Sequence, residues 1–214
     1  MLDAIKELKA AGAEEFILDL RCNGGGSVAS AVKLCSALVP ERLNGAVLCS
    51  LERNKKNSEM EQKSEFCLEG AGEILSLERL TVICSDYSAS ASELVVMGLR
   101  GLDFPVMLVG SQTEGKNCGM DVTRKTIEGV SLEFAPITFM CFNAKGFGGW
   151  GEGIVPDVDL TSDSNELGIS DKNYPLPRAD WGDYNHDIAL AAALAKLTGK
   201  DVSQGTRSQT FAIE

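Results

Sequence analysis

A serine-rich turn is the first place in this chain where residue types and spacing suggest chemistry. The run Ser88-Ala-Ser-Ala-Ser-Glu93 follows the apolar segment Leu80-Thr-Val-Ile-Cys84 and precedes a helix predicted over residues 91–102. A strand that turns sharply into a helix lifts one side chain above the sheet and aims helical N–H groups at it. Ser90 is therefore a candidate nucleophile, although serines in this position would equally suit a helix cap.

A serine nucleophile needs a base to accept its proton, and the sequence offers two candidates. The single histidine, His186, lies in a polar segment ahead of the last predicted helix, where we expect a helix-start or surface residue. A Ser–Lys arrangement is a known variant of the histidine triad. Lys116 lies in the glycine-containing loop 111–119 after the next predicted strand, and is the better placed candidate unless it is an ordinary solvated charge.

A lysine that acts as a base must be neutral at the working pH. Its pKa must fall from about 10.4 towards 7–8, and burial among apolar groups has that effect. Three apolar residues that follow the loop could supply these surroundings, namely Met120, Phe134 and Phe139. The spacing alone does not select among them.

A glycine-rich loop, Asn23-Gly-Gly-Gly26, follows an earlier predicted strand. Glycine permits positive φ and close approach of the backbone, so the loop could present N–H groups to an anion, or it could be a simple tight turn. A dinucleotide-binding fingerprint fits poorly because Ala29 stands where its third glycine is needed, and no Walker lysine follows. Phosphate binding is therefore not favoured.

The elements that must position these residues alternate between strands and helices. Two antiparallel strands, 120–125 and 131–142, are predicted to be joined by a turn at Glu128-Gly129, and the polar stretch 52–65 is predicted to be an exposed loop or helix, a candidate lid. This order predicts one domain with a mixed α/β fold. The remaining predicted elements are helices 2–11, 28–38, 91–102 and 188–197 and strands 15–21, 46–51, 80–84 and 106–109.

Composition excludes several classes of ligand. Among the 214 residues, acidic residues outnumber basic ones 31 to 20, which disfavours nucleic acid and anionic lipid as partners. No apolar stretch approaches the roughly 18 residues of a membrane span. The seven cysteines lack zinc-like spacing, and most are expected to be buried as small hydrophobic residues. No metal or other cofactor is predicted.

Four short motifs, in this order and spacing, resemble the carboxyl-terminal processing (tail-specific) serine proteases. The resemblance covers roughly residues 14–160 and rests on the segments Leu18-Asp-Leu-Arg-Cys-Asn-Gly-Gly-Gly26, Ser88-Ala-Ser-Ala-Ser-Glu93, Val109-Gly110 with Thr113-Glu-Gly-Lys116, and Gly151-Glu-Gly-Ile-Val-Pro-Asp157.

The resemblance implies a cofactor-free serine endopeptidase in which Ser90 is the nucleophile and Lys116 the base. It implies an oxyanion hole formed by the amide of Ala91 and that of Gly25 or Gly24. Glu93 and Asp157 are then structural residues.

One departure from the family pattern concerns the orientation of the lysine. Many members have a glutamine four residues after it, whereas this chain has Met120. Asn117 or Thr113 could orient Lys116 instead, or the dyad could work without help. An impaired site would make the chain a peptide-binding module on the same fold.

The family context sets further expectations. The implied core is a mixed sheet with flanking helices, related to the Clp-peptidase and crotonase folds, and residues 1–214 are expected to be the catalytic domain of a longer chain that has an additional PDZ module. The implied protein is exported to the bacterial periplasm or cell envelope and cleaves polypeptides near their C-termini. A crotonase-like acyl-CoA enzyme is the rival on this fold, but no carboxylate stands out to serve it. The oligomeric state is not predicted.

Overall fold

The computed structural model describes residues 1–54, 56, 63–161, 182–183 and 187–199. His186 and nearly all of the acidic segment 161–183 lie outside these residues. The described helices are α1 (Leu2–Ala10), α2 (Val28–Leu38), α3 (Ala91–Gly101) and α4 (Ile188–Thr198). The described strands are β1 (Ile17–Asp19), β2 (Val47–Arg53), β3 (Lys63–Cys67), β4 (Leu80–Cys84), β5 (Val106–Gly110), β6 (Cys118–Met120), β7 (Thr123–Ile127), β8 (Val130–Phe134), β9 (Ile137–Asn143) and β10 (Val158–Asp159).

The first sheet is parallel, with the strand order β1-β4-β5-β10. Its central strand β4 is buried on both faces. Val82 and Leu108 join the larger core with α2 and α3, whereas Ile83 and Val109 pack with the alanine-rich helix α4. Burial on both faces is why β4 reads as a continuous apolar run rather than an alternating one.

The second sheet is antiparallel, with the order β3-β2-β9-β6. Leu51 on β2 faces Cys141 on β9, and Cys118 on β6 faces Met140. Helix α3 contacts β5 of the first sheet as well as β2 and β9 of the second. The helix that begins after Ser90 therefore packs against both sheets.

Three loops that matter for function meet at one edge of the parallel sheet. The glycine loop follows β1, the serine turn follows β4 and the Lys116 loop follows β5. These three strands are neighbours, and the carboxyl ends of neighbouring parallel strands lie at the same edge. The topology thus brings together segments that are far apart in sequence.

The predicted mixed α/β class and the helices are confirmed, but some strand predictions are wrong. The segment 131–142 is two strands, because Pro136 has no N–H to donate and interrupts the ladder. The first piece, β8, pairs with β7 across the predicted turn, while β9 joins β2 and β6. The segment 52–65 includes the end of β2 and the start of β3, and most of the stretch between them lies outside the described residues.

Two smaller differences concern strand length. β1 is limited to Ile17–Asp19, since the chain on either side forms turns and a bend. The loop after β5 ends earlier than predicted, because Cys118–Met120 pairs with β9. Lys116 therefore lies just before a strand rather than in the middle of a loop.

Most of the cysteines are buried, as expected from the sequence. Four of the seven thiols are buried, and all seven are free. Burial raises the pKa of Cys84 to about 12 and that of Cys141 to about 11, so both thiols are neutral at physiological pH. The longest helices in the described ranges have 11 residues, roughly 16 Å, and none of these helices could cross a bilayer.

Candidate active site

Ser90 occupies a strained backbone position at the start of α3. Its φ of 57° and ψ of −117° lie in a region that non-glycine residues rarely adopt, and it is the N-cap of the helix. Its N–H donates to Glu93 Oε2 at 2.8 Å, which holds the turn in place. Such strain persists where the surrounding contacts fix it, and it is frequent at functional sites.

The neighbouring serines serve the scaffold. Ser88 Oγ donates to the carbonyl of Leu20 at 2.7 Å and is buried. Ser92 Oγ donates to the carbonyl of Asn23 at 2.9 Å. Both bonds tie the serine turn to the segment around the glycine loop, so among these three serines Ser90 is the one whose side chain lines the adjoining cleft.

The glycine loop approaches the serine turn so closely that Gly25 has no room for a side chain. A Cβ at Gly25 would lie 2.7 Å from both Ala89 O and Ala91 N, and its φ is +99°. At Gly24, in contrast, a Cβ would meet nothing within 4 Å. The N–H of Gly25 donates to Asn23 Oδ1 at 3.0 Å, whereas that of Gly24 has no acceptor among the described residues.

Glu93 links the backbone of Ser90 to that of Lys116. This carboxylate is 1% exposed and accepts four hydrogen bonds. Oε2 accepts from the N–H groups of Ser90 and Lys116, both at 2.8 Å, and Oε1 accepts from Thr113 Oγ1 at 2.6 Å and Gly115 N at 2.8 Å. One buried carboxylate thus fixes the spacing between the backbones of the two candidate catalytic residues. We call these four hydrogen bonds the Glu93 clamp.

The Lys116 loop is braced by the segment that follows Gly151. The N–H of Ile154 donates to Thr113 Oγ1 at 2.8 Å, and the N–H of Thr113 donates to the Ile154 carbonyl at 3.2 Å. A Cβ at Gly115 would lie 2.4 Å from Gly153 N, so the two loops touch backbone to backbone. This contact explains why glycines recur in both motifs.

Ser90 and Lys116 line one cleft of about 450 Å³. Ala91 also lines it, as does Gly26, the neighbour of Gly25. Most of the remaining wall is apolar and consists of Val28, Leu51, Phe66, Leu94, Met120, Phe139 and Trp150, among others. The cleft therefore combines a hydroxyl, an amine and helical N–H groups with apolar surroundings.

Two of the three apolar residues considered as shielding for Lys116 lie in the cleft. Phe139 is buried and its ring packs directly over Gly119, while Met120 is partly exposed. Phe134 is not among the lining residues and is about half exposed on β8.

Asn117 and Thr113, the two candidate orienting residues, are engaged elsewhere. Asn117 Nδ2 donates to the carbonyl of Gly148, and Thr113 is held between Glu93 and Ile154. Within the described ranges no hydrogen bond or ion pair reaches the Lys116 amine. In this structure Lys116 is therefore held through its backbone N–H, which donates to Glu93.

The ion pair between Arg53 and Asp121 lines the cleft beside Met120. Arg53 Nε donates to Asp121 Oδ2 at 3.2 Å, and the guanidinium lies 5.6 Å from the centre of the Phe139 ring. The hydrogen bonds from Arg53 hold the pKa of Asp121 below its usual range. Asp121 also accepts from Thr138 Oγ1 at 2.8 Å, so the chain just after β6 is anchored to β2 and β9.

Two features of the site were not predicted from the sequence. One is the Glu93 clamp, and the other is the pair of hydrogen bonds that Asn23 accepts from Gly25 and Ser92. The spacing of Ser90 and Glu93 is that of a capping box, which signals a helix start but not a bond to a loop 23 residues away.

Asp157, expected to be structural, accepts from Arg100 Nη2 at 2.6 Å and from the N–H of Leu108 at 2.7 Å. Among the described residues no group of histidine, cysteine or acidic side chains could hold a metal ion.

Comparison with known proteins agrees with this arrangement. The model of peptidase family S41 matches residues 1–160. A Staphylococcus aureus protein named "Probable CtpA-like serine protease" is 28% identical over 158 residues, which cover 74% of this chain and 29% of that protein. The chain thus spans less than a third of the length of these curated relatives.

Two solved structures have the same fold. A candidate S41 protease from Bacteroides fragilis matches with a TM-score of 0.73 and 23% identity, over 92% of this chain and 48% of that one. The photosystem II D1 C-terminal processing protease matches with a TM-score of 0.57 and 26% identity, over 74% of this chain and 38% of that one. The predicted fold and the predicted resemblance to carboxyl-terminal processing proteases are therefore confirmed, and the chain belongs to peptidase family S41.

Proposed function

We propose that this chain is the catalytic domain of a serine endopeptidase that uses Ser90 as nucleophile and Lys116 as general base. The observation that carries the proposal is the Glu93 clamp, because one carboxylate binds the backbone of both residues. Family membership supports serine peptidase chemistry, and the shared cleft supports this pair as its agents.

The first step is attack on a peptide carbonyl. Neutral Lys116 accepts the proton of the Ser90 hydroxyl. Ser90 Oγ then forms a bond to the carbonyl carbon, and the carbonyl π electrons move to the oxygen. The protonated amine then gives its proton to the departing nitrogen. Water, deprotonated by the same lysine, hydrolyses the acyl-enzyme and restores Ser90.

The proposed oxyanion hole pairs the N–H of Ala91 with a glycine-loop N–H. Ala91 N begins α3, where helical N–H groups point outwards, and lies close to Gly25. Because the N–H of Gly25 already donates to Asn23, the N–H of Gly24 is the other candidate donor. Preorganised donors of this kind typically contribute about 10²–10³-fold in rate.

The proposed mechanism requires Lys116 to be neutral when it accepts the proton of Ser90. No carboxylate in the described ranges pairs with it, and Phe139 and Met120 share its cleft. A polypeptide in the cleft would remove further water from the amine, and desolvation disfavours the charged form of a lysine.

The substrates we propose are extended polypeptides cut near their C-termini, by analogy with the D1 C-terminal processing protease. From the family resemblance we also propose the bacterial periplasm or cell envelope as the place of action. The outer edge of β6, which pairs with no other described strand, runs along the cleft from Cys118 to Met120 and offers its backbone to an extended substrate. Fractionation of the producing cells tests the location.

Replacement of Ser90 tests the proposal. Ser90→Ala is expected to abolish cleavage of unfolded casein and labelling by a fluorophosphonate. Ser27→Ala is the matched control, since Ser27 is exposed, lines the same cleft and does not cap its helix through its side chain. Cleavage by Ser90→Ala at the wild-type rate would refute the assignment, and a wild-type protein that binds casein without cleaving it would indicate a peptide-binding module.

A further inference from the structure

The hairpin of β7 and β8, here called the ribbon (residues 123–134), is amphipathic. Residues opposite each other in an antiparallel pair project on the same side. Ile127 pairs with Val130, and Phe134 with Thr123, on one face, whereas the Arg124–Glu133 ion pair lies on the other. This face carries Ile127, Val130, Leu132 and Phe134, together with Thr123 and Lys125, which lie opposite Phe134 and Leu132. We call the four large apolar side chains the apolar face.

This apolar face has no partner among the described elements. Its four residues are 38–58% exposed, and every residue of β7 and β8 is exposed. A two-stranded hairpin alone is marginally stable in water, and an exposed set of large apolar side chains on one face marks an interaction surface.

The ribbon continues directly from the cleft. The chain passes from β6 through Asp121 and Val122 into β7, and Met120, Asp121 and Val122 all line the cleft. The bonds of Asp121 to Arg53 and Thr138 fix the base of the ribbon to the antiparallel sheet. The outer edges of β6 and β7 pair with no other described strand.

From this continuity we infer that the ribbon docks an apolar segment of the polypeptide substrate outside the cleft. The inference rests on the proposed function, since it extends the same substrate path. Strand residues advance about 3.3 Å each, so the tip at Ile127 lies on the order of 20 Å along the chain from Met120. A six-residue peptide centred on Ser90 extends only about 10 Å to either side and so stays short of Ile127, whereas a long unfolded chain would reach both the cleft and the tip.

Binding to protein that cannot turn over tests the inference. In a Ser90→Ala background, Ile127→Thr with Leu132→Thr removes apolar surface while keeping strand propensity. Arg124→Thr with Glu133→Thr is the matched control on the polar face. We expect the Kd of fluorescent unfolded casein, measured by anisotropy, to rise about tenfold in the apolar-face variant and less than twofold in the control.

A six-residue peptide from a casein sequence provides the length control, and its Kd is expected to be the same in all variants. Equal casein affinity in the two ribbon variants would overturn the inference, as would an equal loss of affinity for the short peptide. If sedimentation velocity shows a dimer that only the apolar-face variant disrupts, with casein binding unchanged, the face joins two copies and the inference is wrong.

Fluorophosphonate labelling of the same ribbon variants with Ser90 intact separates this inference from the proposed function. Labelling at the wild-type rate with unchanged casein affinity would refute the ribbon's role alone. Absence of labelling in the wild-type protein would refute the nucleophile assignment, and the Kd comparison would still decide whether the ribbon binds polypeptide.

Discussion

At the scale of single residues, Glu93 positions both Ser90 and the Lys116 loop, which is more than a helix-capping residue normally does. Its two oxygens accept four hydrogen bonds, and two of these come from the backbone N–H groups of the proposed nucleophile and base. A buried carboxylate is costly unless it is well bonded, so the four bonds explain why it is tolerated.

Glu93→Gln is expected to damage both stability and activity. Whichever way the amide is oriented, its NH₂ group would face at least one backbone N–H, because each carboxylate oxygen accepts from a backbone donor. We expect the free energy of unfolding to fall by about 2–4 kcal/mol and kcat to fall about 100-fold. Urea unfolding and casein cleavage measure the two effects. The exposed Glu114 is the control, and a Glu93→Gln variant no more affected than Glu114→Gln would contradict the clamp.

The glycine loop provides a matched pair of substitutions. Gly25→Ala would force a Cβ to within 2.7 Å of the backbone beside Ser90, whereas Gly24→Ala meets no neighbour and keeps its N–H. We expect kcat to fall at least 100-fold in Gly25→Ala and less than about threefold in Gly24→Ala. Steady-state cleavage of a peptide gives both values. Similar kcat values for the two variants would show that the loop does not need to approach Ser90.

At the scale of elements, α4 is attached to the parallel sheet through a buried ion pair. Arg21, which follows β1, donates to Asp187 through Nη1 at 2.8 Å and through Nη2 at 2.7 Å. Asp187 is the N-cap of α4 and also accepts from the N–H groups of Leu190 and Gly182. Because Arg21 lies two residues before the glycine loop, α4 supports the start of that loop.

Removal of the charge on Asp187 is expected to destabilise the fold in a pH-dependent way. Burial alone would raise the pKa of Asp187, but the hydrogen bonds from Arg21 and the helix lower it overall. A carboxyl with a lowered folded-state pKa stabilises above its unfolded pKa of about 3.9 and loses that contribution as the pH falls through the folded value. Asp187→Asn should therefore cost about 3 kcal/mol at pH 7, with the difference closing in acid.

Urea unfolding of both proteins between pH 7 and pH 3 measures that difference. Asp103→Asn is the control, since the Asp103 side chain is 80% exposed and its loss should change stability by less than about 0.5 kcal/mol. A constant difference between wild type and Asp187→Asn across this pH range would argue against the ion pair.

The local sequence pattern predicted most helices and strands. The strands that it missed depend on pairing between segments that are distant in sequence. The buried run of β4 and the serine turn before α3 are local signals, and both predictions are confirmed. The break at Pro136 is also visible in the sequence, but the assignment of β9 to β2 depends on a pairing between residues about 90 positions apart. β6 has three residues and becomes a strand through β9, so no local pattern could predict it.

At the scale of the whole molecule, the two sheets supply different parts of the site. Ser90 follows a strand of the parallel sheet, whereas Lys116 lies where the chain crosses from β5 to β6 of the antiparallel sheet. Sequence motifs and family resemblance point to both residues as candidates. They could not predict the Glu93 bonds, which depend on how α3 packs against the two sheets. Nor could they predict the Arg53–Asp121 ion pair, which depends on the order of β2, β9 and β6 in the antiparallel sheet.

The ability of Lys116 to lose its proton is the central claim, and the rate of Ser90 labelling by a fluorophosphonate in Lys116→Arg tests it most directly. Arginine keeps the charge and approximate length but is not deprotonated in proteins. The account predicts labelling at least about 1,000-fold slower than wild type in both Lys116→Arg and Lys116→Ala, in protein that unfolds at the wild-type urea midpoint. Labelling of folded Lys116→Arg at the wild-type rate would contradict a role for a neutral amine.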